Sequence, residues 1–443
     1  MKIGVVSLGC AKNLVDTEIV LGFLTSAEHE ITSDSKEAEI IIVNTCGFIE
    51  AAKEESINAI LEMAELKDTG RCKGLIVMGC LSQRYSEELW TEIPEIDAIL
   101  GTNELDLVPG VIEQIKLGER ILKKRSEFFD YNKVYPRIST TGSHFSYLKI
   151  AEGCNHRCAF CVIPTIRGTF RSRSLQAILQ EAAQLKGQGV QEIAVIAQDT
   201  TAYGGDFGTN ITKLLAELAA LDIPWIRLLY TYPTSITDEL LELLSSTPNL
   251  IKYVDLPLQH VAGNVLRRMA RPGDFESARL LIEKIRRQIP GVSIRSSFIV
   301  GFPGETEEDF RELLRFLRMM RLNHVGIFKY SREENSAAYD YDDQIDEAVK
   351  KRRHAEAMRV QQQISAELNQ ELVGRRLEVL MEYPSEESEL VMVGRHRGQA
   401  PDVDGVVYVG RGTLEPGQIA TVLITEAHAY DLVGEEVDTS ESA

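Results

Sequence analysis

Long apolar runs are missing from this sequence. Nothing in its 443 residues approaches the roughly 20 consecutive apolar positions that a membrane helix needs, so no membrane segment is expected. The opening stretch Met1-Lys2-Ile3-Gly4-Val5-Val6-Ser7-Leu8-Gly9-Cys10 is too short for the apolar region of a signal peptide, about 7–15 residues, and helical periodicity follows at once. It reads as a first strand, in a cytoplasmic protein. A surplus of basic charge is also missing. The 48 Lys and Arg face 67 Asp and Glu, a formal net charge of −19. That balance argues against a protein held chiefly by nucleic-acid phosphates and favours a neutral or basic partner. An even cysteine set is missing too. Seven cysteines in a large, apparently intracellular chain do not make a disulfide framework and point to metal or catalytic use. No 20–50-residue repeat and no low-complexity tract is visible.

What is present is alternation of strands and helices. Over about residues 1–120, apolar runs at Lys2–Gly9, Glu39–Asn44, Gly74–Gly79 and Ala98–Leu100 alternate with helical stretches. This predicts an N-terminal α/β domain with a parallel sheet. A polar stretch from about 120 to 143 (Lys123-Lys124-Arg125, then Pro136 to Ser143) reads as a linker. Over about 140–370, candidate strands Tyr147–Ala151, Glu192–Ala197, Trp225–Tyr230, Tyr253–Leu256, Ser293–Val300 and Gly326–Tyr330 recur with helices between them. The pattern predicts a partial (β/α)6 barrel of TIM type, with an open doubly wound sheet as the alternative. Asp346–Leu372 is a long charged helix whose basic run Lys350-Lys351-Arg352-Arg353 reads as a solvated face. Over about 372–440 the strands Arg376–Met381, Leu390–Val393, Gly405–Val409 and Gln418–Thr425, set among Gly/Pro turns, predict a small antiparallel β-barrel. From Leu372 onward there are five basic and 14 acidic residues, a net of about −9.

The sharpest chemical signal is Cys154-Asn155-His156-Arg157-Cys158-Ala159-Phe160-Cys161, directly after the first strand of the expected barrel. Three thiolates at C-x3-C-x2-C can hold three irons of a cubane cluster and leave the fourth iron open to a substrate. The alternative is a structural zinc loop. Zinc favours four closed ligands, commonly in paired C-x2-C; no second pair is present, and His156 is poorly spaced to replace one. Barrel active sites lie at the carboxyl ends of the strands, where this loop falls. The loop, with Phe160 before its last cysteine, resembles the radical S-adenosylmethionine (SAM) superfamily. That resemblance implies a 4Fe-4S cluster on Cys154, Cys158 and Cys161 that binds and cleaves SAM to a 5′-deoxyadenosyl radical, so that the cofactor carries the hard chemistry. It further implies that Gln198 and Asp199, ending the second strand, and Gly301, in Ile299-Val300-Gly301-Phe302-Pro303-Gly304-Glu305, contact SAM, with Phe160 beside the cluster. Taken alone, a strand-end Asp or Gly turn is a cap or loop. Arg167 and Arg173 after the cluster loop either position a bound group or make salt bridges.

Cys10, Cys46 and Cys80 each follow a predicted strand of the N-terminal domain and each precedes a helix. In a parallel sheet those positions gather along one edge, outside the carboxyl ends, so thiols 70 residues apart can meet. Their expected job is a second open three-cysteine cluster. Cys72 precedes its strand and reads as a bystander. Two such clusters and a terminal β-barrel resemble the radical SAM methylthiotransferase family over essentially the whole chain, the barrel corresponding to a TRAM domain. Within that family, Ser7-Leu8-Gly9-Cys10-Ala11-Lys12-Asn13-Leu14-Val15-Asp16, Tyr147-Leu148-Lys149-Ile150-Ala151-Glu152-Gly153-Cys154 and Tyr253-Val254-Asp255-Leu256-Pro257-Leu258-Gln259-His260 resemble the RimO type. The implied reaction adds a methylthio group to the β-carbon of an aspartate in small-subunit ribosomal protein twelve, with two SAM and an electron donor such as flavodoxin or ferredoxin. An acidic terminal barrel fits that basic partner and disfavours tRNA, the substrate of the MiaB type, unless Arg395, His396 and Arg397 form a basic patch. A non-catalytic iron–sulfur factor on the ribosome is the alternative from another class. A monomer is expected, since no heptad seam appears. His260, Lys329 and Tyr330 read as packing residues near the cavity mouth.

Overall fold

The computed structural model describes residues 1–142, 144–410 and 412–437. Ser143, at the end of the expected linker, and the expected end of the terminal barrel at 440 lie outside the described residues. The chain folds into two compact units. One comprises Met1–Thr140, Glu152–Ile178 and Ser331–Tyr339; the other comprises Thr141–Ala151, Leu179–Tyr330 and Asp340–Ala443.

The first unit is built on a six-stranded sheet: β1 (Lys2–Ser7), β2 (Glu30–Thr32), β3 (Ile40–Thr45), β4 (Gly74–Gly79), β5 (Ala98–Leu100) and β6 (Ile121–Lys123), in the order β2-β1-β3-β4-β5-β6. Every pairing is parallel. β3 and β4 are buried at every position, as central strands of a sheet covered on both faces must be. Helix α1 (Ala11–Ser26) follows β1, and α2 (Glu50–Thr69) follows β3. α2 buries Ser56, Ile60, Met63 and Ala64, one stripe at helical spacing, with Ile60, Met63 and Ala64 packed among Ile41, Val43, Leu75 and Val77. The strand order reverses direction at β1, so the crevice at the carboxyl ends of β1 and β3 is where such a sheet takes ligands.

The stretch expected as a linker is not one. Ile121–Lys123 pairs with β5, and the chain beyond it is anchored by aromatic rings. Phe129 and Tyr131 are buried; the Phe129 ring lies 4.7 Å from Tyr131 and 6.5 Å from Phe23 on α1. These rings bury area against the helix, and Arg137 turns inward to donate to the buried Glu18 of α1 (2.8 Å).

The second unit carries six parallel strands in two sheets of three. Trp225–Leu228, Glu192–Ile196 and Phe145–Lys149 form one; Tyr253–Asp255, Ser293–Val300 and His324–Lys329 form the other. A parallel bridge between Ile226 and Leu250 and the bond from Thr231 N–H to Asp255 O lie between them. Together they make the expected partial (β/α)6 barrel. The helix Glu347–Gln370 corrects the sequence reading of its basic run. Lys351 and Arg352 are exposed, but Lys350 and Arg353, one turn apart, are buried. Lys350 Nζ donates to Tyr330 O (3.1 Å) and Arg353 Nη1 to Glu305 O (3.1 Å). Long stems cover apolar surface while their charged heads find carbonyls inside.

Beyond that helix, Arg376–Pro384, Val391–His396, Val407–Gly410, Ile419–Ala427 and Leu432–Glu436 close into a five-stranded barrel. The sequence reading named four of these strands and an antiparallel barrel. The fifth closes the ring, and Val407–Gly410 pairs with it in parallel. A closed ring with an odd number of strands cannot be antiparallel throughout, so one parallel pair is obligatory.

The loop leaving Val391–His396 meets the leading ends of the parallel strands through buried charge. Glu192 accepts from Arg227 (2.6 Å) and Arg395 (2.6 Å), Tyr253 OH donates to Asp404 (2.6 Å), and Tyr147 OH donates to Asp402 (2.6 Å). His396 sits among these groups with its Nδ1 accepting the Gly398 N–H (3.0 Å), which requires a neutral ring. Burial, reinforced by His324 and Arg227, depresses it to about 3; burial and Arg395 depress His144 to about 4. Both histidines titrate near 6.5 when unfolded, so their contribution to stability is full above that pH and is lost as pH falls through the folded values. Replacing His396 by Asn removes one of the two titrations. The drop in urea midpoint between pH 7 and pH 4.5 is expected to be smaller in His396→Asn than in the parent protein.

Candidate active site

Cys154, Cys158 and Cys161 lie on one loop of the first unit and are all partly exposed. The loop is held at both ends. Cys154 N–H donates to Gly168 O (3.1 Å) and Cys161 N–H to Cys158 O (3.0 Å). Gly153 has φ +77°, and a Cβ there would stand 2.2 Å from Thr169 O, so only glycine lets the loop turn here. The N–H groups of His156 and Ile163 point at the sulfurs of Cys154 (3.4 Å) and Cys161 (3.5 Å), favouring anionic sulfur. Phe160 is partly buried between Ala159 and Cys161.

Cys10, Cys46 and Cys80 follow β1, β3 and β4, three neighbouring strands, so their thiols gather at one sheet edge. Glycines shape the cradle. Gly9 has φ +92°, and a Cβ there would lie 3.0 Å from Cys46 Sγ. A Cβ at Gly47 would lie 2.7 Å from Leu81 Cα. Burial pushes the Cys80 thiol up to about 11, against the pull of Arg167. Burial also raises Cys46, partly offset by the Phe48 amide and Arg167. Cys10 is exposed at the surface; enclosure by protein still opposes its ionisation, but Lys12, Arg167 and the Asn13 and Lys12 amides outweigh that and hold its thiol below the usual range. Cys72 stands apart, buried, with Sγ toward Gly74 O (3.4 Å).

The two trios belong to the same unit, and the chain ties them together. Cys80 packs with Val162 and Ile166, and Val162 directly follows Cys161. Arg167, 4% exposed, donates to Asp16 (2.6 Å), Glu152 (3.0 Å), Asn13 (2.8 Å) and Cys80 Sγ (3.4 Å). Arg173 donates to Tyr131 O (2.7 Å), and Tyr131 OH to Asp16 (2.8 Å). Sequence reasoning left the arginines between two roles and missed Asn13, Asp16, Glu152 and Tyr131 as their partners. The available signal was Asn13 and Asp16, polar residues at helical spacing just after Cys10 that turn inward.

The segment Ser331–Tyr339 was missed as well. Ala338 N–H donates to Ala159 O (2.8 Å), inside the first thiol loop. Glu333, 1% exposed, takes Arg84 (3.1 Å) and Lys53 (3.2 Å), and Arg84 donates to Gly47 O (2.5 Å) beside Cys46. One strap thus touches the loops of both trios. Removing Glu333 leaves the buried Arg84 guanidinium without its carboxylate, while Lys53 keeps Glu50, and costs about 3 kcal/mol. Glu333→Ala is expected to lower unfolding stability by about that amount, against under about 0.5 kcal/mol for exposed Glu54→Ala, measured by urea denaturation.

The other sequence-predicted residues lie in the second unit. Asp199 caps the turn Thr200–Ala202, accepting from Thr201 N–H (2.9 Å) and Ala202 N–H (3.2 Å). Gln198 is partly buried beside it. Gly301 has φ +74° and lies against Lys350, where a Cβ would stand 2.3 Å from Lys350 Cγ; its N–H donates to Glu305. His260 and Tyr330 are buried, and Lys329 pairs with Glu347 at the surface, in keeping with packing. Arg395 is buried against Glu192 and Glu382, and Arg397 pairs with Glu378 (2.8 Å), so these residues do not form an open basic patch.

Among the described residues, no three His, Cys, Asp or Glu side chains are arranged around a single metal ion. A single zinc needs sulfurs about 2.3 Å from one centre. A cubane takes each thiolate on a different iron, so its ligands stand wider apart. Soft donors, three per site, set in glycine-shaped cradles, fit that group.

Comparisons with known proteins fall into line with the three parts. Residues 2–101 match the uncharacterized protein family UPF0004, 148–317 the Radical SAM superfamily and 373–437 the TRAM domain. The ribosomal protein uS12 methylthiotransferase RimO of Pelobacter propionicus is 48% identical over 98% of this chain and 97% of its own. That of Geotalea uraniireducens is 48% identical over 98% of each, and that of Myxococcus xanthus 46% identical over 98% of this chain and 91% of its own. Among solved structures, the radical SAM methyltransferase TsrM of Kitasatospora setae shares the fold, with a TM-score of 0.57 at 16% identity over 85% of this chain and 80% of that one.

Proposed function

The chain belongs to the RimO family of ribosomal protein uS12 methylthiotransferases, and on that premise we propose that it places a methylthio group on the β-carbon of an aspartate of uS12, using SAM and two 4Fe-4S clusters. The observation that carries this reading is the gathering of two separate thiol trios, Cys154/Cys158/Cys161 and Cys10/Cys46/Cys80, within one compact unit. One trio suffices for a radical SAM enzyme; a second, with an iron left open, is the place from which sulfur would be delivered.

In this reading Cys154, Cys158 and Cys161 hold the first cluster and Cys10, Cys46 and Cys80 the second. When bound, the groups supply an electron for cleavage of SAM to a carbon-centred radical and the sulfur that ends on the substrate. The chain does the rest. The His156 and Ile163 amides steady the thiolates of the first loop. Gln198, Asp199 and Gly301 would receive SAM, where the Thr200–Ala202 cap and the left-handed turn at Gly301 keep the backbone rigid, and Phe160 would pack beside the cluster. The acidic terminal barrel attracts a basic ribosomal protein and repels a phosphate backbone. The electron donor is a small redox protein of flavodoxin or ferredoxin type.

The test is anaerobic reconstitution with dithionite and SAM, offering uS12 or tRNA. Expected are 5′-deoxyadenosine and a methylthio-modified aspartate with uS12 only. Product on tRNA, or no 5′-deoxyadenosine at all, would falsify the proposal, the latter in favour of a non-catalytic role. Cys154→Ala is expected to abolish 5′-deoxyadenosine. Cys80→Ala is expected to retain its formation while losing the methylthio product, both read by mass spectrometry.

A further inference from the structure

We infer that Arg167 is a positioning residue that raises the reduction potential of a cluster on Cys10, Cys46 and Cys80, by holding a guanidinium against the Cys80 sulfur. This rests on the proposed reading that those three thiols hold an iron–sulfur cluster. Arg167 belongs by sequence to the other trio: it ends the short helix Ile163–Arg167 that begins two residues after Cys161. Its side chain nevertheless runs to the sheet edge of the first unit. Nη1 is taken by two carboxylates, Asp16 (2.6 Å) and Glu152 (3.0 Å). Nη2 is aimed elsewhere, at Asn13 Oδ1 (2.8 Å) and Cys80 Sγ (3.4 Å).

A plain salt bridge would need only the first half of that fork. The second half is engaged by groups that are themselves held. Asn13 Nδ2 donates to Leu8 O (2.8 Å) and Thr45 O (3.1 Å), carbonyls just before Gly9 and Cys46. Asp16 is held by Tyr131 OH (2.8 Å). The guanidinium therefore cannot swing away from the sulfur without breaking a buried network. A lysine offers a single point charge and cannot serve both sides of the planar fork.

A hydrogen bond and a positive charge at a ligating sulfur stabilise the reduced, more negative state of a cluster and raise its potential. Burial strengthens the effect, because the charge is poorly screened. Asp16 works in the opposite sense: its carboxylate offsets part of the guanidinium charge. Removing Arg167 and neutralising Asp16 must then shift the potential in opposite directions, which loss of packing alone would not do.

The experiment uses the full chain carrying Cys154→Ala, Cys158→Ala and Cys161→Ala, so that only the second site can be loaded. After anaerobic reconstitution, iron and sulfide are assayed and the midpoint potential is read by EPR-monitored titration. In this background Arg167→Gln is expected to move the oxidised-to-reduced ratio at fixed potential about tenfold toward oxidised, a midpoint about 59 mV lower for one electron. Arg167→Lys is expected to give a smaller fall, and Asp16→Asn a rise. An unchanged midpoint in Arg167→Gln, or shifts of the same sign in Arg167→Gln and Asp16→Asn, would overturn the inference while leaving the second cluster in place. A background protein that binds no iron overturns the underlying reading and the inference with it. Should Arg167→Gln fail to fold, Asp16→Asn decides: a rise supports the assignment, and no change or a fall overturns it.

Discussion

Parallel strands all end at the same edge, and the candidate chemistry of the first unit follows from that constraint. A residue placed just after each of β1, β3 and β4 is delivered to one place, whatever the length of chain between them. Cys10, Cys46 and Cys80 use three such exits on adjacent strands. Because the order β2-β1-β3 reverses direction at β1, the crossover helices diverge there and leave a crevice rather than a covered surface. An antiparallel sheet would have sent alternate exits to opposite ends and separated the thiols by the length of a strand.

Gathering thiols in this way is unfavourable unless something offsets their mutual repulsion once they ionise. Burial makes the problem worse, as the raised Cys46 and Cys80 thiols indicate. The compensating cation comes from the loop of the other trio, and it is itself kept charged by Asp16 and Glu152. This couples the two halves of the site: the residue that steadies one thiol set can be in place only when the loop bearing the other set is folded against it. The strap Ser331–Tyr339 adds a second tie of the same kind, through Glu333 on one side and the Ala338 N–H on the other. Two independent clamps, one ionic and one partly backbone, make a rigid arrangement from loops that would otherwise move independently.

The strands and both thiol sets were legible because they rest on local pattern. Ile-Ile-Ile-Val at β3 and Leu-Ile-Val-Met at β4 are apolar runs bounded by polar or glycine positions, and each cysteine sits directly after one. What was not legible depends on partners remote in sequence. Arg167 meets Asp16 across 151 positions and Asn13 across 154, and no local rule selects them among 67 acidic residues and many amides. The inward turn of Lys350 and Arg353 was hidden in a run of four cations whose exposure differs by helix face. Leu432–Glu436 was missed because its Leu-Val-Gly-Glu-Glu pattern has little apolar alternation; only ring closure makes it a strand. The stretch after Lys123 was misread because its polar composition outweighed the aromatic spacing that anchors it.

Charge in the terminal barrel shows why a tally and a map differ. Five basic residues from Leu372 onward would suffice for a modest phosphate-binding patch if they clustered outward. Arg395 instead lies buried between Glu192 and Glu382, and Arg397 pairs with Glu378 while its guanidinium lies 5.5 Å from the Trp225 ring. Those two cations are committed to holding strand ends together. Acidic residues of the barrel, among them Glu386, Glu387, Glu435 and Glu436, stay exposed. Packing takes carboxylates as well, Glu382 beside Arg395 and Asp404 beside Tyr253, so the barrel surface keeps the acidic balance of the count. For a polyanion such a surface is repulsive at any distance within the screening length of about 8 Å at physiological salt, whereas a basic protein is drawn to it.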